Sequence, residues 1–262
     1  MAGGTGGVSD GVTPVDEKYS DVRLARLYDA ECPWHPQDDF YLDLDSRAES
    51  VLDVGCGTGT RLARAREEGH PGLLVGVDPA PGMLTLARGK TDQVQWIHGD
   101  AQTVQVGRRF QLLTMTGHAF QTLRDDESVL AALLNFNRHL TPDGLLAFET
   151  RNPQARAWES WVAERSRSEI QAPDGEPYEV WVDDPLTQGH DLVTFSSVVR
   201  SLRSGARRSS TSTLRFIDSA SLRAMVEEAG FRIEGWFGDW DRSVVTATSP
   251  EVIVLARPSS LR

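Results

Sequence analysis

The residues with the most chemical content lie in Val51-Leu52-Asp53-Val54-Gly55-Cys56-Gly57-Thr58-Gly59-Thr60. A short apolar run passes into a glycine-rich turn that opens a helix. Glycine tolerates positive φ and lets a backbone approach a ligand closely. The first N–H groups of a helix are unpaired and face polar or negative ligand atoms. About one strand-helix unit later, Leu74-Val75-Gly76-Val77-Asp78 ends in a carboxylate. An acid at that strand end can accept both hydroxyl hydrogens of a ribose. A dinucleotide site wants GxGxxG and lays a pyrophosphate on the helix. Here the spacing is GxGxG, position 60 is Thr, and Asp53 stands two residues before the first glycine. That acid opposes a pyrophosphate and suits a cationic ligand. Each feature also has an ordinary structural use, the glycines as a tight turn and Asp78 as a helix N-cap.

The elements that must hold these groups follow from the hydrophobic pattern. Short apolar runs at 51–54, 73–77, 94–97, 110–115 and 145–148 alternate with helical stretches at 58–68, 81–88 and 127–140. Such alternation means βαβ units and a parallel sheet covered on both faces. The rhythm breaks at 151–217, where Tyr178-Glu179-Val180-Trp181-Val182 and Leu192-Val193-Thr194-Phe195 alternate as antiparallel strands do, so an inserted hairpin or three-strand layer is expected. A helix at 219–229, with Ser219 as N-cap and Gly230 after its end, and strands at 231–237 and 251–256 complete the pattern. Upstream, helical spacing begins at Tyr19, Pro33 and Pro36 interrupt it, and a second short helix is expected at 38–44. The glycine-rich stretch 1–17 reads as a disordered leader.

Composition narrows the function. The 262 residues carry a net charge of −11, with 39% hydrophobic and 25% charged residues, as in a globular protein with a sizeable core. The acidic balance disfavours a long nucleic-acid footprint, and no window is apolar enough to span a membrane. Two cysteines, Cys32 and Cys56, make no disulfide framework, so a reducing cytoplasm is the expected setting.

The ordered motifs resemble those of class I S-adenosylmethionine-dependent methyltransferases of the small-molecule type, whose cofactor carries an ammonium and a sulfonium. The glycine turn resembles that family's first motif. Asp78-Pro79-Ala80-Pro81-Gly82-Met83-Leu84 resembles the second, and His98-Gly99-Asp100-Ala101-Gln102 the acidic motif on the adenine side. The Pro142-Asp143-Gly144 turn also fits, with Leu145 where a second glycine is usual. Thr-Gly-His-Ala-Phe-Gln at 116–121 and Gly-Asp-Trp-Asp at 238–241 resemble an actinobacterial set of such enzymes. The resemblance implies an α/β, Rossmann-like seven-stranded sheet, mostly parallel with the last strand antiparallel, helices on both faces and a small antiparallel β insertion. It divides the chain into a lid at 18–48, a cofactor-binding core at 49–150, an insertion at 151–217 over the acceptor pocket, and the end of the core at 218–262. The implied cofactor contacts are Tyr28, Trp34, Asp53, Gly55, Cys56, Gly57, Gly59, Asp78, Pro79, Met83, Gly99, Asp100, Ala101, Thr116 and Gly117.

On the acceptor side, His118 is the histidine at a strand end and the candidate base, or else it packs against the following turn. Phe120, Glu149, Arg151, Trp158, Trp181 and Trp240 are the candidate acceptor contacts. No acidic pair of the kind that holds Mg²⁺ is present, so no metal is expected. The expected reaction is methylation of an N or O atom, or an electron-rich carbon, of a small metabolite. The alternative is a protein that binds S-adenosylmethionine without transferring its methyl group, as a sensor or partner.

Overall fold

A computed structural model describes residues 15–259. Most of the leader expected at 1–17 lies outside the described residues, and Glu17 already begins a helix. Three one-turn helices come first, α1 (Glu17–Ser20), α2 (Val22–Ala25) and α3 (Tyr28–Glu31), followed by α4 (Pro36–Ser46). Pro36 fits at the first position of α4 because its missing N–H would be unpaired there in any case. The alternating region then runs β1 (Ser50–Val54), α5 (Thr60–Glu67), β2 (Leu73–Asp78), α6 (Pro81–Lys90), β3 (Gln95–His98), β4 (Phe110–Met115), α7 (Asp126–His139) and β5 (Leu140–Arg151). The one-turn α8 (Ala163–Ser166) leads into β6 (Ser168–Gln171), β7 (Pro177–Gln188), β8 (Leu192–Ser201) and β9 (Arg207–Arg215). α9 (Ser219–Glu228), β10 (Phe231–Phe237) and β11 (Glu251–Pro258) end the chain.

Seven strands form one sheet in the order β10-β11-β5-β4-β1-β2-β3. β1, β2, β3, β4 and β5 pair in parallel, and β11 runs antiparallel to both β5 and β10. The C-terminal ends of the parallel strands therefore gather at one edge, where an open α/β sheet binds its ligands. α7 illustrates how local sequence builds this frame. Asp125 caps it by accepting from Ser128 N at 2.7 Å, and Val129, Leu133 and Phe136 form its buried stripe. Each such side chain contributes about 1.5–3 kcal/mol by leaving water, and they join Leu52, Leu113 and Phe148 in the main core. The cap of α9 is Asp218, one residue before the expected Ser219, because a carboxylate can accept from both Ala220 N and Ser221 N at 3.0 Å.

The insertion contains four strands rather than two or three, in a separate sheet ordered β6-β7-β8-β9. It touches the N-terminal helices: Lys18 N donates to Ser210 Oγ, and Arg26–Asp174 and Arg208–Asp21 are ion pairs of 2.7 and 3.2 Å. Those helices also rest on α6. A Cβ on Gly82 would lie 2.6 Å from the carbonyl oxygens of both Tyr19 and Ser20, so only glycine lets them approach so closely.

Candidate active site

The glycine turn stands at the sheet edge between β1 and α5. Gly55, Gly57 and Gly59 have φ of 76°, 56° and 71°, a region that side chains with a Cβ disfavour. A Cβ on Gly55 would also come within 2.8 Å of Ala119. Asp78 ends β2 beside this turn. Its Oδ2 accepts from Gly57 N and its Oδ1 from Ala80 N, both at 2.8 Å. Burial outweighs those two donors and pushes the carboxyl up to about 6. The Cys56 thiol is likewise raised by burial, so it stays protonated at neutral pH. Asp100 accepts from the backbone N–H groups of Gln102 and Thr103 and fixes the turn after β3. Gly99 N donates to Asp78 O at 3.2 Å, and Ala101 is buried beside it. Pro79 O lies 3.0 Å from His98 Nε2, and Met83 packs with Ala25 and Ala80 under the N-terminal helices.

The N-terminal segment reaches over this edge. Asp29 accepts from the hydroxyls of Thr58 and Thr60, and Lys90 Nζ joins Asp29, Thr58 O and Thr60 Oγ1. Tyr28 is placed centrally: its hydroxyl lies 3.7 Å from where a Cβ on Gly117 would stand. Burial raises its phenol well above the ordinary value, helped by Cys32 and Asp78, so it remains a hydrogen-bond donor. Thr116 and Gly117 close the end of β4, with Ala119 N donating to Thr116 O.

Asp53 has a different setting from the one its spacing suggests. The guanidinium of Arg61, the second residue of α5, pairs with Asp53 at 2.9 Å and with Asp45, and donates to Thr114 Oγ1. Asp53 is 2% exposed and Arg61 6%. The charge of Asp53 is thus met inside the protein.

The end of β4 is organised around His118. Its backbone is left-handed, with φ 60°, which is uncommon for a residue other than glycine. Two carboxylates hold it. His118 N donates to Glu149 Oε1 at 2.7 Å, and Nε2 lies 3.0 and 3.1 Å from the two oxygens of Glu251. Glu149 also accepts from the Tyr41 hydroxyl. Burial, aided by Arg151, pushes His118 down to about 3, and burial raises Glu251 to about 7. The imidazole is therefore neutral at pH 7, with Nε2 within hydrogen-bond distance of the Glu251 carboxyl. Arg151 stands opposite Glu251 in the ladder, donates to Gln121 Oε1 at 2.8 Å and lies 5.2 Å from the Trp161 ring centre. Trp161 in turn meets Phe195 of the insertion edge-on at 4.7 Å.

Several candidate residues fall elsewhere. Phe120 is fully buried and stacked on Phe148 at 4.2 Å, so it belongs to the core. Trp181 pairs with Val198 on the face of the insertion opposite to Phe195, between the Arg167 and Arg207 guanidinium groups. Trp34 lies under Arg64 on α5 and donates to Asp39. Trp240 packs edge-on against Phe40 and Tyr41. Trp158 packs on Phe216, beside Trp161. Glu251 and Trp161 were not among the expected site residues. The one sequence signal for Glu251 is an acid opening an otherwise apolar strand.

The profile of a methyltransferase domain family matches residues 51–144. The dTDP-3-amino-3,6-dideoxy-alpha-D-glucopyranose N,N-dimethyltransferase of Streptomyces fradiae is 33% identical over 103 residues, 39% of this chain and 40% of that enzyme. The chain thus spans about 40% of that relative's length. The cypemycin N-terminal methyltransferase of a Streptomyces species is 26% identical over 81% of this chain and 83% of its own. Among solved structures, the sugar N-methyltransferase KedS8 from a Streptoalloteichus species superposes with TM-score 0.72 at 18% identity, covering 99% of both chains. Residues 51–144 thus resemble a methyltransferase domain in sequence, and the whole chain shares the fold of that methyltransferase structure.

Proposed function

We propose that this protein moves a methyl group from S-adenosylmethionine to an amine nitrogen of a small acceptor, with His118 as the base. The observation that carries the reading is the pairing, on one sheet edge, of a glycine cradle and Asp78 with a neutral, carboxylate-held imidazole. The residues present suit the cofactor. A side chain at Gly55 would fill the turn, Asp78 retains a lone pair on each oxygen for ribose hydroxyls, and the Tyr28 phenol stays un-ionised beside both. Asp100, after β3, is the group for the adenine side. When bound, the cofactor supplies an electrophilic methyl group on a sulfonium.

The chain's own task is to present a nucleophile. An amine that enters as an ammonium ion has no lone pair, so a proton must leave it before it can attack. The N-terminal helices reach the glycine turn through Asp29, and Trp161 joins Arg151 to the inserted sheet. Glu149 fixes the backbone of His118, and Arg151 with Trp161 forms the neighbouring wall. A nitrogen acceptor is the reading supported by the relatives named as amino-sugar N,N-dimethyltransferases and as the cypemycin N-terminal methyltransferase, while other relatives are named for trans-aconitate, a quinone or a malonyl carrier protein. A reducing cytoplasm remains our proposed setting, consistent with free Cys32 and Cys56.

Calorimetry tests the first half: S-adenosylhomocysteine should bind, and tight NAD binding in its place would reject the proposal. Transfer of labelled methyl to dTDP-3-amino-3,6-dideoxyglucose, other amino sugars and peptide N-termini tests the second. Label appearing only on hydroxyl acceptors would reject the amine.

A further inference from the structure

We infer that Glu251 is the positioning residue of the site: it keeps the His118 imidazole protonated at Nε2, leaves Nδ1 with its lone pair for the acceptor ammonium, and takes the Nε2 proton as Nδ1 is protonated. This rests on His118 being the base. Three observations carry it. Both oxygens of Glu251 lie within 3.1 Å of Nε2, a shared contact that fixes the ring from one side. The backbone of the same residue is held by a second carboxylate, Glu149, and remains in the left-handed region. Such a conformation persists only where surrounding structure over-determines it. Finally, Glu251 is the first residue of the one antiparallel strand of the main sheet, which brings it to the edge where the parallel strands end.

The groups facing Glu251 are His118 after β4, Arg151 and Glu149 on β5, Asp239 after β10 and Tyr41 on α4. Arg151 lowers the Glu251 carboxyl, Asp239 raises it, and burial dominates, leaving it near 7. An isolated imidazole at about 3 would hold a proton in roughly one molecule in 10⁴ at pH 7. The carboxyl near 7 can hold it, so the proton ends on Glu251 while the ring stays neutral. The step balances. An N–H bond of the acceptor ammonium breaks and leaves its electron pair on nitrogen. Nδ1 gains that proton, Nε2 loses its own, and Glu251 becomes a carboxylic acid. One positive and one negative charge become none, and Glu251 later returns its proton to water.

The test uses the full chain with ¹⁵N-histidine, alone and with S-adenosylhomocysteine, and identifies His118 by its loss in His118→Asn. The ring shifts of the wild type should report the Nε2–H tautomer and one inflection near pH 7. Glu251→Gln, which keeps an acceptor oxygen but cannot take a proton, should lose that inflection. An Nδ1–H tautomer in the wild type, or an inflection surviving in Glu251→Gln, overturns the inference. Failure of S-adenosylhomocysteine to bind the wild type would sink the methyltransferase proposal instead, and the ring shifts of the ligand-free protein would still answer for the pair. With a labelled amine acceptor in hand, Glu251→Gln should lower kcat about 100-fold at pH 7, with KM changed less than threefold.

Discussion

Removing the carboxylate of Asp78 tests the cofactor end of the site most directly. Each oxygen already accepts one backbone N–H at 2.8 Å, from Gly57 or from Ala80, and keeps a second lone pair for a further donor. Hydrogen bonds to a charged acceptor are worth about 1.5–3 kcal/mol each, and part of that is returned because the ligand's hydroxyls otherwise bond water. A net loss of about 1–3 kcal/mol corresponds to a roughly 5- to 150-fold rise in Kd. Calorimetry with S-adenosylhomocysteine should show that loss in Asp78→Ala.

The pH dependence separates this effect from unfolding. The ionised carboxylate is the form that accepts two hydroxyls, and in the free protein it titrates near 6. Affinity should therefore be flat above pH 7 and fall by up to tenfold per unit below 6. Stability has the opposite sign. A carboxyl raised on folding binds more protons in the folded than in the unfolded chain between its ordinary value of 3.8 and 6. Its contribution is complete below the lower value and is lost as pH rises through the upper one. An affinity that improves with pH across a window where this group weakens the fold cannot be a by-product of folding. Asp78→Asn should bind weakly at every pH, with a flat profile. A folded Asp78→Ala that binds within twofold of the wild type, or a wild-type Kd unchanged from pH 7 to 5, would refute the assignment.

His118→Ala should lower kcat by about 10²- to 10⁴-fold while leaving S-adenosylhomocysteine affinity intact; an equal loss in both would make the residue structural. Trp161→Ala should raise acceptor KM about tenfold, since it removes the ring beside Arg151, whereas Trp181→Ala, on the insertion's face opposite to Phe195, should leave KM unchanged. The reverse pattern in steady-state kinetics would place the pocket on the other side of the insertion. Arg61→Leu leaves Asp45 and Asp53 buried without their cation and should cost about 3–5 kcal/mol in denaturant titrations. Part of that should return at pH 5, because burial raises the Asp45 carboxyl and eases its protonation, and a variant equally unstable at both pH values would point to lost packing instead.

The parts of this fold that are local in sequence were legible. A strand that passes into glycines with positive φ, or a helix with an acid at its cap and a buried stripe, carries its reasons within ten residues. The charge at Asp53 was legible, but its partner was not, because Arg61 reaches it only once α5 has formed and turned inward. Alternation marks a strand with two faces without saying which face is inward, and a one-residue choice reverses every side chain. Trp181 and Phe195 show the consequence, on opposite faces of one small sheet. Phe120 adjoins the site in sequence yet turns into the core, where stacking on Phe148 buries it completely.

Glu251 lies more than 130 residues from His118, and no motif spacing connects them. Topology does. Parallel strands deliver their C-terminal residues to the functional edge, so Asp78, His118 and Arg151 follow or end β2, β4 and β5. An antiparallel strand in the same sheet delivers its N-terminal residue to that edge. Once β11 pairs with β5 in the observed register, Glu251 must face Arg151 and lie near whatever follows β4. An acid at the start of the antiparallel strand is thus placed by the sheet order itself. The same reasoning applies to Asp239, just after β10: it too arrives at this edge, and it raises the Glu251 carboxyl. Asp239→Asn should therefore lower the Glu251 inflection below 7 without altering the His118 tautomer, a shift readable in the same ¹⁵N titration. An inflection that stays put would mean the acid acts on something other than this pair.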